Sequence, residues 1–107
     1  MDAVFAGPDD PGLTGELRDR GVNVSRIDGV ANRPALEEAG IYDADLYLLT
    51  DVGLATSVVV ARDLNPDLRV VVYSGESLPE FLGGGEVLAM DPQLLDPEAV
   101  AEELAAR

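Results

Sequence analysis

Short apolar runs alternate with polar segments of helical period along this chain, and turn residues mark the junctions. Ala3-Val4-Phe5-Ala6 predicts a buried first strand ending at Gly7. Asp10-Pro11 then has the form of a helix start, with Asp as N-cap and Pro at the first helical position. Leu13 and Leu17 fall on one face of that helix, and Gly21 closes it. From Val22 to Asp28 apolar and polar residues alternate, which predicts a second strand nearer the sheet edge. Asn32-Arg33-Pro34 opens another helix, with Leu36 and Ala39 inward and Gly40 as its stop.

The run Leu46-Tyr47-Leu48-Leu49, inside Asp45 to Thr50, is continuous in the way a central parallel strand requires. Asp51 caps a long helix that reaches Leu64 and breaks at Asn65-Pro66. Arg69 to Ser74, with Val70-Val71-Val72, predicts the fourth strand. A short helix around Leu78 to Leu82 leads through Gly83-Gly84-Gly85 to a fifth strand, Glu86 to Ala89. Asp96-Pro97 repeats the Asp-cap, Pro-first signature and starts a last helix with Val100 and Leu104 on one face.

Strands alternating with helices through short connections predict a three-layer α/β domain. Right-handed crossovers reduce the topologies to doubly wound ones. The expectation is a five-stranded parallel sheet, Rossmann- or flavodoxin-like, in the order 2-1-3-4-5. No linker, repeat or low-complexity stretch divides residues 1–107, so one domain is expected.

Composition changes this picture mainly through charge. Seven arginines and no lysine stand against 21 carboxylates, a formal net charge of -14. Self-repulsion of that size strains a compact fold in ordinary buffer. It becomes tolerable when molar salt shortens the Debye length to about 3 Å. The balance reads as a protein from an extreme halophile. An apolar content of 47% separates the chain from disordered acidic sequences. Without His, Cys, Lys or Trp, imidazole and thiolate metal sites, Schiff bases and the usual general bases are excluded. No residue set for catalysis can be named, and a non-enzymatic role is expected. A basic stripe for phosphate contacts is lacking, so nucleic acid is not an expected partner. The acidic Met1-Asp2 start and the lack of a long apolar run predict a cytoplasmic protein with no membrane insertion.

Ligands of doubly wound sheets bind outside the carboxyl ends of the strands, at the switch point between the first and third. Here those ends carry Gly7, Asp9, Asp10, Asp28, Thr50, Asp51, Ser74 and Gly75. Gly7, Gly12 and Gly15 form a degenerate glycine pattern that serves either a phosphate loop or a tight turn with close helix–strand packing. Asp28 stands where a ribose-binding acid belongs and also reads as a turn residue before Gly29. Asp9, Asp10 and Asp51 converge either as oxygen ligands for a hard cation or as solvated surface. Val58-Val59-Val60-Ala61 predicts a helix that is apolar all round, covered either by a neighbouring loop or by a homodimer or protein partner.

Two stretches, LEEAGIYDADLYLLT (Leu36 to Thr50) and ARDLNPDLRVVVYS (Ala61 to Ser74), resemble the TrkA-N nucleotide-binding domain of potassium-conductance regulators. Gly84 to Leu88 resembles that family's last strand. The resemblance implies a stand-alone, trimmed Rossmann-like relative that takes a nucleotide such as NAD or ATP. Gly7 and Gly12 would then belong to the phosphate loop, Asp28 would contact ribose, and Thr50 and Asp51 would border the adenine pocket. The family's middle glycine is absent, so the expectation is a small regulatory or interaction module with weak or lost nucleotide binding. Response-regulator receivers offer an alternative resemblance, because Asp9, Asp10, Asp51 and Ser74 occupy the places of their acids and hydroxyl. Asp91-Pro92 follows the fifth strand where a receiver carries lysine. The alternative is therefore a receiver-like cation-binding switch without competent phosphotransfer.

Overall fold

Aliphatic strands flanked by short amphipathic helices leave two surfaces of the sheet to cover, and the chain covers both. The computed structural model describes residues 1–9, 12–78 and 87–106. Its elements are β1 (Asp2–Ala6), α1 (Leu13–Asp19), β2 (Asn23–Ile27), α2 (Arg33–Glu38), β3 (Leu46–Leu49), α3 (Thr56–Leu64), β4 (Arg69–Tyr73), β5 (Val87–Met90) and α4 (Pro97–Ala105). Short 3-10 helices at Ile41–Asp43 and Val52–Leu54 flank β3. The five strands are parallel and lie in the order β2-β1-β3-β4-β5, as the alternation predicts. All of the helix predicted around Leu78 to Leu82 except Leu78 falls outside the described residues, as do the Gly83-Gly84-Gly85 run, Asp10 and Pro11.

Side chains on opposite sides of the pleat feed two cores. Val4, Ala6, Tyr47, Leu49, Val70 and Val72 pack with Leu36 of α2 and Val58 and Ala61 of α3. Ala3, Phe5, Leu46, Leu48, Val71 and Tyr73 pack with Leu13 and Leu17 of α1 and Val100 and Leu104 of α4. Every residue of β3 is therefore buried, which is why its sequence runs apolar without alternation. Strand β2, at the edge, is mostly exposed, and the Arg18 guanidinium of α1 donates to its Val24 carbonyl at 3.1 Å.

Local chemistry sets the ends of the elements. Asn32 and Asp96 accept from the amides of Ala35 (3.0 Å) and Ala99 (2.8 Å), each followed closely by Pro. Helix α1 starts later than the Asp10-Pro11 signature suggests. Its N-cap residue is Gly12 at φ 80°, and Asp9 supplies the carboxylate that accepts the Thr14 amide at 3.2 Å. Asp51 caps the 3-10 turn before α3 rather than one continuous helix. Helix α3 is not apolar all round: Val58 is buried, whereas Val59 is 60% exposed.

Asn65, which breaks α3, is buried, and its Nδ2 donates to the carbonyls of Ile41 (2.9 Å) and Ala44 (2.8 Å). One amide thus satisfies two carbonyls of the turn entering β3. Burial pushes the Tyr47 phenol above its ordinary value, opposed by its 2.7 Å hydrogen bond with Ser57. No described carboxylate is buried, so among the described residues the negative charge lies on the outside of the fold. Among the described residues, no helix is long and apolar enough to cross a membrane.

Replacing Asn65 with Ala should cost about 2–3 kcal/mol, because it orphans two inward-facing carbonyls. Denaturant unfolding measures this, and a loss below about 0.5 kcal/mol would remove the clamp from the account. The external charge predicts a thermal midpoint that rises by roughly 5 °C or more between ~0.1 M and ~2 M KCl, about 1 kcal/mol of relieved repulsion. A midpoint indifferent to KCl would show that self-repulsion is not limiting.

Candidate functional site

Parallel strands end together, so the turns after β1, β2, β3 and β4 gather polar residues at one rim of the sheet. The tightest junction there is Gly7. It follows β1 at φ 108°, a conformation that favours glycine, and a Cβ on it would run into the Thr50 hydroxyl and crowd the Asp51 amide. The neighbouring bonds fix the same approach. The Thr50 amide donates to the Ala6 carbonyl at 3.1 Å, and the Thr50 hydroxyl donates to the Pro8 carbonyl at 2.6 Å. The ends of β1 and β3 are held in contact.

Beside this junction lies a cleft of about 330 Å³ lined by Gly7, Pro8, Arg26, Asp28, Asp51 and Leu54, with Ile27 and Gly29. Three of the expected site residues, Gly7, Asp28 and Asp51, meet there. Thr50 sits behind them, turned toward Pro8. Gly12 does not line the cleft. It caps α1, and open space surrounds the position of its missing Cβ, so its glycine answers to φ and not to a close ligand approach. Gly15 likewise has open space around it, which removes the close helix–strand packing considered for it.

Arg26 is the cleft residue that the sequence reading missed. Its guanidinium donates to the Gly7 carbonyl at 3.1 Å and stands 5.5 Å from the centroid of the Phe5 ring. Arg26 pairs in register with Phe5 on the neighbouring strand, and the alternation of β2 placed it on the face of Val22 and Val24 without identifying that partner.

Three of the described carboxylates at this rim, Asp9, Asp51 and Asp91, accept backbone amides. Asp9 holds the Thr14 amide, and Asp51 holds the Gly53 amide at 2.8 Å. Asp91, after β5, holds the Gln93 amide at 2.9 Å. Each stabilises a turn in the way short acidic side chains do. Among the described residues no group of three acids is close enough together to hold a metal ion, and Asp10 lies outside them. Asp91 also approaches Gly75, with its Oδ1 3.8 Å from where a Cβ would stand. The Tyr73 hydroxyl, at the end of β4, donates to the Leu95 carbonyl at 2.6 Å. Burial pushes that phenol above its ordinary value, and the Asp96 and Asp91 carboxylates push the same way.

The chain belongs to a family of unknown function, DUF7126, whose model matches residues 3–104. No curated protein matches it. Among solved structures it is similar to a candidate pilus assembly protein, CpaE, from Burkholderia thailandensis E264, at 22% identity and a TM-score of 0.63 over 99% of this chain and 98% of that one. A candidate pilus assembly-related protein from Burkholderia pseudomallei K96243 matches at 20% identity and a TM-score of 0.63, over 99% and 90% of the two chains. RcsB from Salmonella enterica serovar Typhimurium, bound to promoter rprA in the presence of a phosphomimetic beryllofluoride, matches at 19% and 0.56, over 99% and 67%. At these identities the likeness is one of fold, and the fold is flavodoxin-like, as in receiver domains.

These matches overturn the resemblance to the TrkA-N domain. The matching family model is a different one, and the structural neighbours are of CpaE and receiver type. The physical reason lies in the Asn65 clamp. The Ala-Gly-Ile and Leu-Asn-Pro stretches that carried the resemblance touch through the bond from Asn65 to the Ile41 carbonyl. They record how α3 is tied to the turn before β3, which is packing and carries no ligand specificity.

Replacing Gly7 with Ala should destabilise the domain by about 1–3 kcal/mol, from the positive φ and the collision with Thr50. Thr50→Val should cost about 1 kcal/mol through the lost bond to Pro8. Urea unfolding of both variants tests the junction, and a Gly7→Ala protein as stable as the parent would contradict it.

Proposed function

We propose that this domain is a receiver-like interaction module that works without phosphotransfer. The observation supporting this most directly is the rim of the sheet at β3, β4 and β5. Thr50 and Asp51 follow β3, Ser74 follows β4, and Asp91 stands after β5 where the receiver resemblance calls for lysine. A phosphoryl group on Asp51 would find a carboxylate after β5 in place of the receiver's lysine, which would repel its oxygens, while Arg26, the cation of the cleft, already donates to the Gly7 carbonyl. The hydroxyls are engaged too: Thr50 donates to Pro8, and Ser74 accepts the Glu76 amide at 3.2 Å. The acids act as turn caps, so the scaffold is kept while the chemistry is not.

In this reading the cleft of Gly7, Asp28 and Asp51 is where a small ligand would meet the module, with Thr50 supporting it from behind and Gly12 only shaping α1. The charge balance supports a halophilic, cytoplasmic setting. The likeness of fold to RcsB, a structure containing a phosphomimetic, makes beryllofluoride the natural probe. With Mg²⁺ and beryllofluoride at fixed ionic strength, the amide resonances of Asp51 and Ser74 should stay in place. A saturable shift of both would mean that the rim still accepts a phosphoryl mimic, and the proposal would fall.

A further inference from the structure

Exposed apolar side chains are unevenly distributed on this molecule. Among the described residues Val30, Tyr42 and Val59 stand singly on separate elements, whereas Leu88, Leu94 and Leu95 all belong to β5 and the turn after it. Leu94 is 81% exposed. Single exposed aliphatics are ordinary, but several at one sheet edge mark a contact surface.

The turn that carries Leu94 is unusually well fixed. The Leu94 and Leu95 amides both donate to the Asp91 carbonyl, at 3.0 and 2.9 Å, and the Gln93 amide donates to the Asp91 carboxylate at 2.9 Å. The Tyr73 hydroxyl holds the Leu95 carbonyl at 2.6 Å, and Asp96 then caps α4. A side chain presented on a backbone already held in one shape loses little further freedom when it is covered. The same bonds serve the core through Tyr73 and α4, whereas the Leu94 side chain itself points away from it.

We infer that the Leu88–Leu94–Leu95 edge docks a basic, amphipathic protein segment, with Leu94 as its apolar anchor. The charge selects this occupant. Asp91 and Asp96 flank the leucines, and the chain as a whole carries -14. A second copy would bring the same acids against them, whereas lysine or arginine beside aliphatic side chains complements both features. This inference rests on the reading of the domain as an interaction module and adds the surface and the partner's chemistry.

The test is a titration of isotope-labelled protein with an amphipathic leucine–lysine peptide, in the lowest KCl that keeps the domain folded, with a leucine–glutamate peptide as control. Amide shifts should concentrate at Leu88 and at Asp91 to Asp96 for the basic peptide alone. Leu94→Ser should weaken binding roughly tenfold, while Leu94→Met restores it. Both variants should keep the parent's thermal midpoint, since the site is exposed. Equal affinity for the Leu94→Ser protein, or shifts spread over the acidic surface, would overturn the inference. So would a parent dimer, seen by sedimentation, that Leu94→Ser dissociates, because the occupant would then be a second copy. The beryllofluoride titration reads Asp51 and Ser74 instead, so the two proposals can fail separately.

Discussion

Both faces of the central strands must be dry, and most of the molecule follows from that requirement. Strand β3 is buried on each side, with Tyr47 and Leu49 in one core and Leu46 and Leu48 in the other. A sheet so enclosed leaves polar chemistry only at its rim and its edges. The described acids keep to the rim, the edges and the outer faces of the helices, because a carboxylate in either core would lose its hydration without a cation to replace it. With seven basic residues for 21 acids, pairing could not serve as a general remedy. The charge therefore stays outside while the interior is almost wholly aliphatic.

That division explains what could be read from the chain. The continuous apolar runs of β3 and β4 and the caps Asn32-Arg33-Pro34 and Asp96-Pro97 each specify local structure through a short-range rule, and each appears as expected. The strand order followed from alternation and handedness. Asp51 misled because one acceptor can cap a 3-10 turn as well as an α-helix, and nothing nearby in the sequence distinguishes the two. The valines of α3 misled because three branched residues in a row look uniform in sequence, yet helical geometry turns Val59 outward.

The site was legible in part, for a similar reason. Gly7, Asp28 and Asp51 were placed at one rim by topology alone, and they meet there. Arg26 was not anticipated, since its role depends on a partner across the sheet, Phe5, and on a carbonyl 19 residues away. The family resemblance failed at Asn65. The two stretches that carried it meet in this fold at Asn65, where they solve one structural problem, closing the turn before a buried strand. A pattern repeated for mechanical reasons says little about ligands. The acids after β1, β3 and β5 fit the same description, since their oxygens are committed to backbone amides.

The bond from Arg18 to the Val24 carbonyl reaches beyond local stability. An open sheet margin is a template on which another chain can add a strand, and repetition of that event leads to insoluble assemblies. Placing a guanidinium on the margin of β2 occupies an acceptor that an incoming strand would need, and sets a bulky charged group in its path. Where dissolved ions mute the long-range repulsion between acidic molecules, solubility has to be secured by such short-range blocking, and one of the chain's seven arginines is committed to that margin.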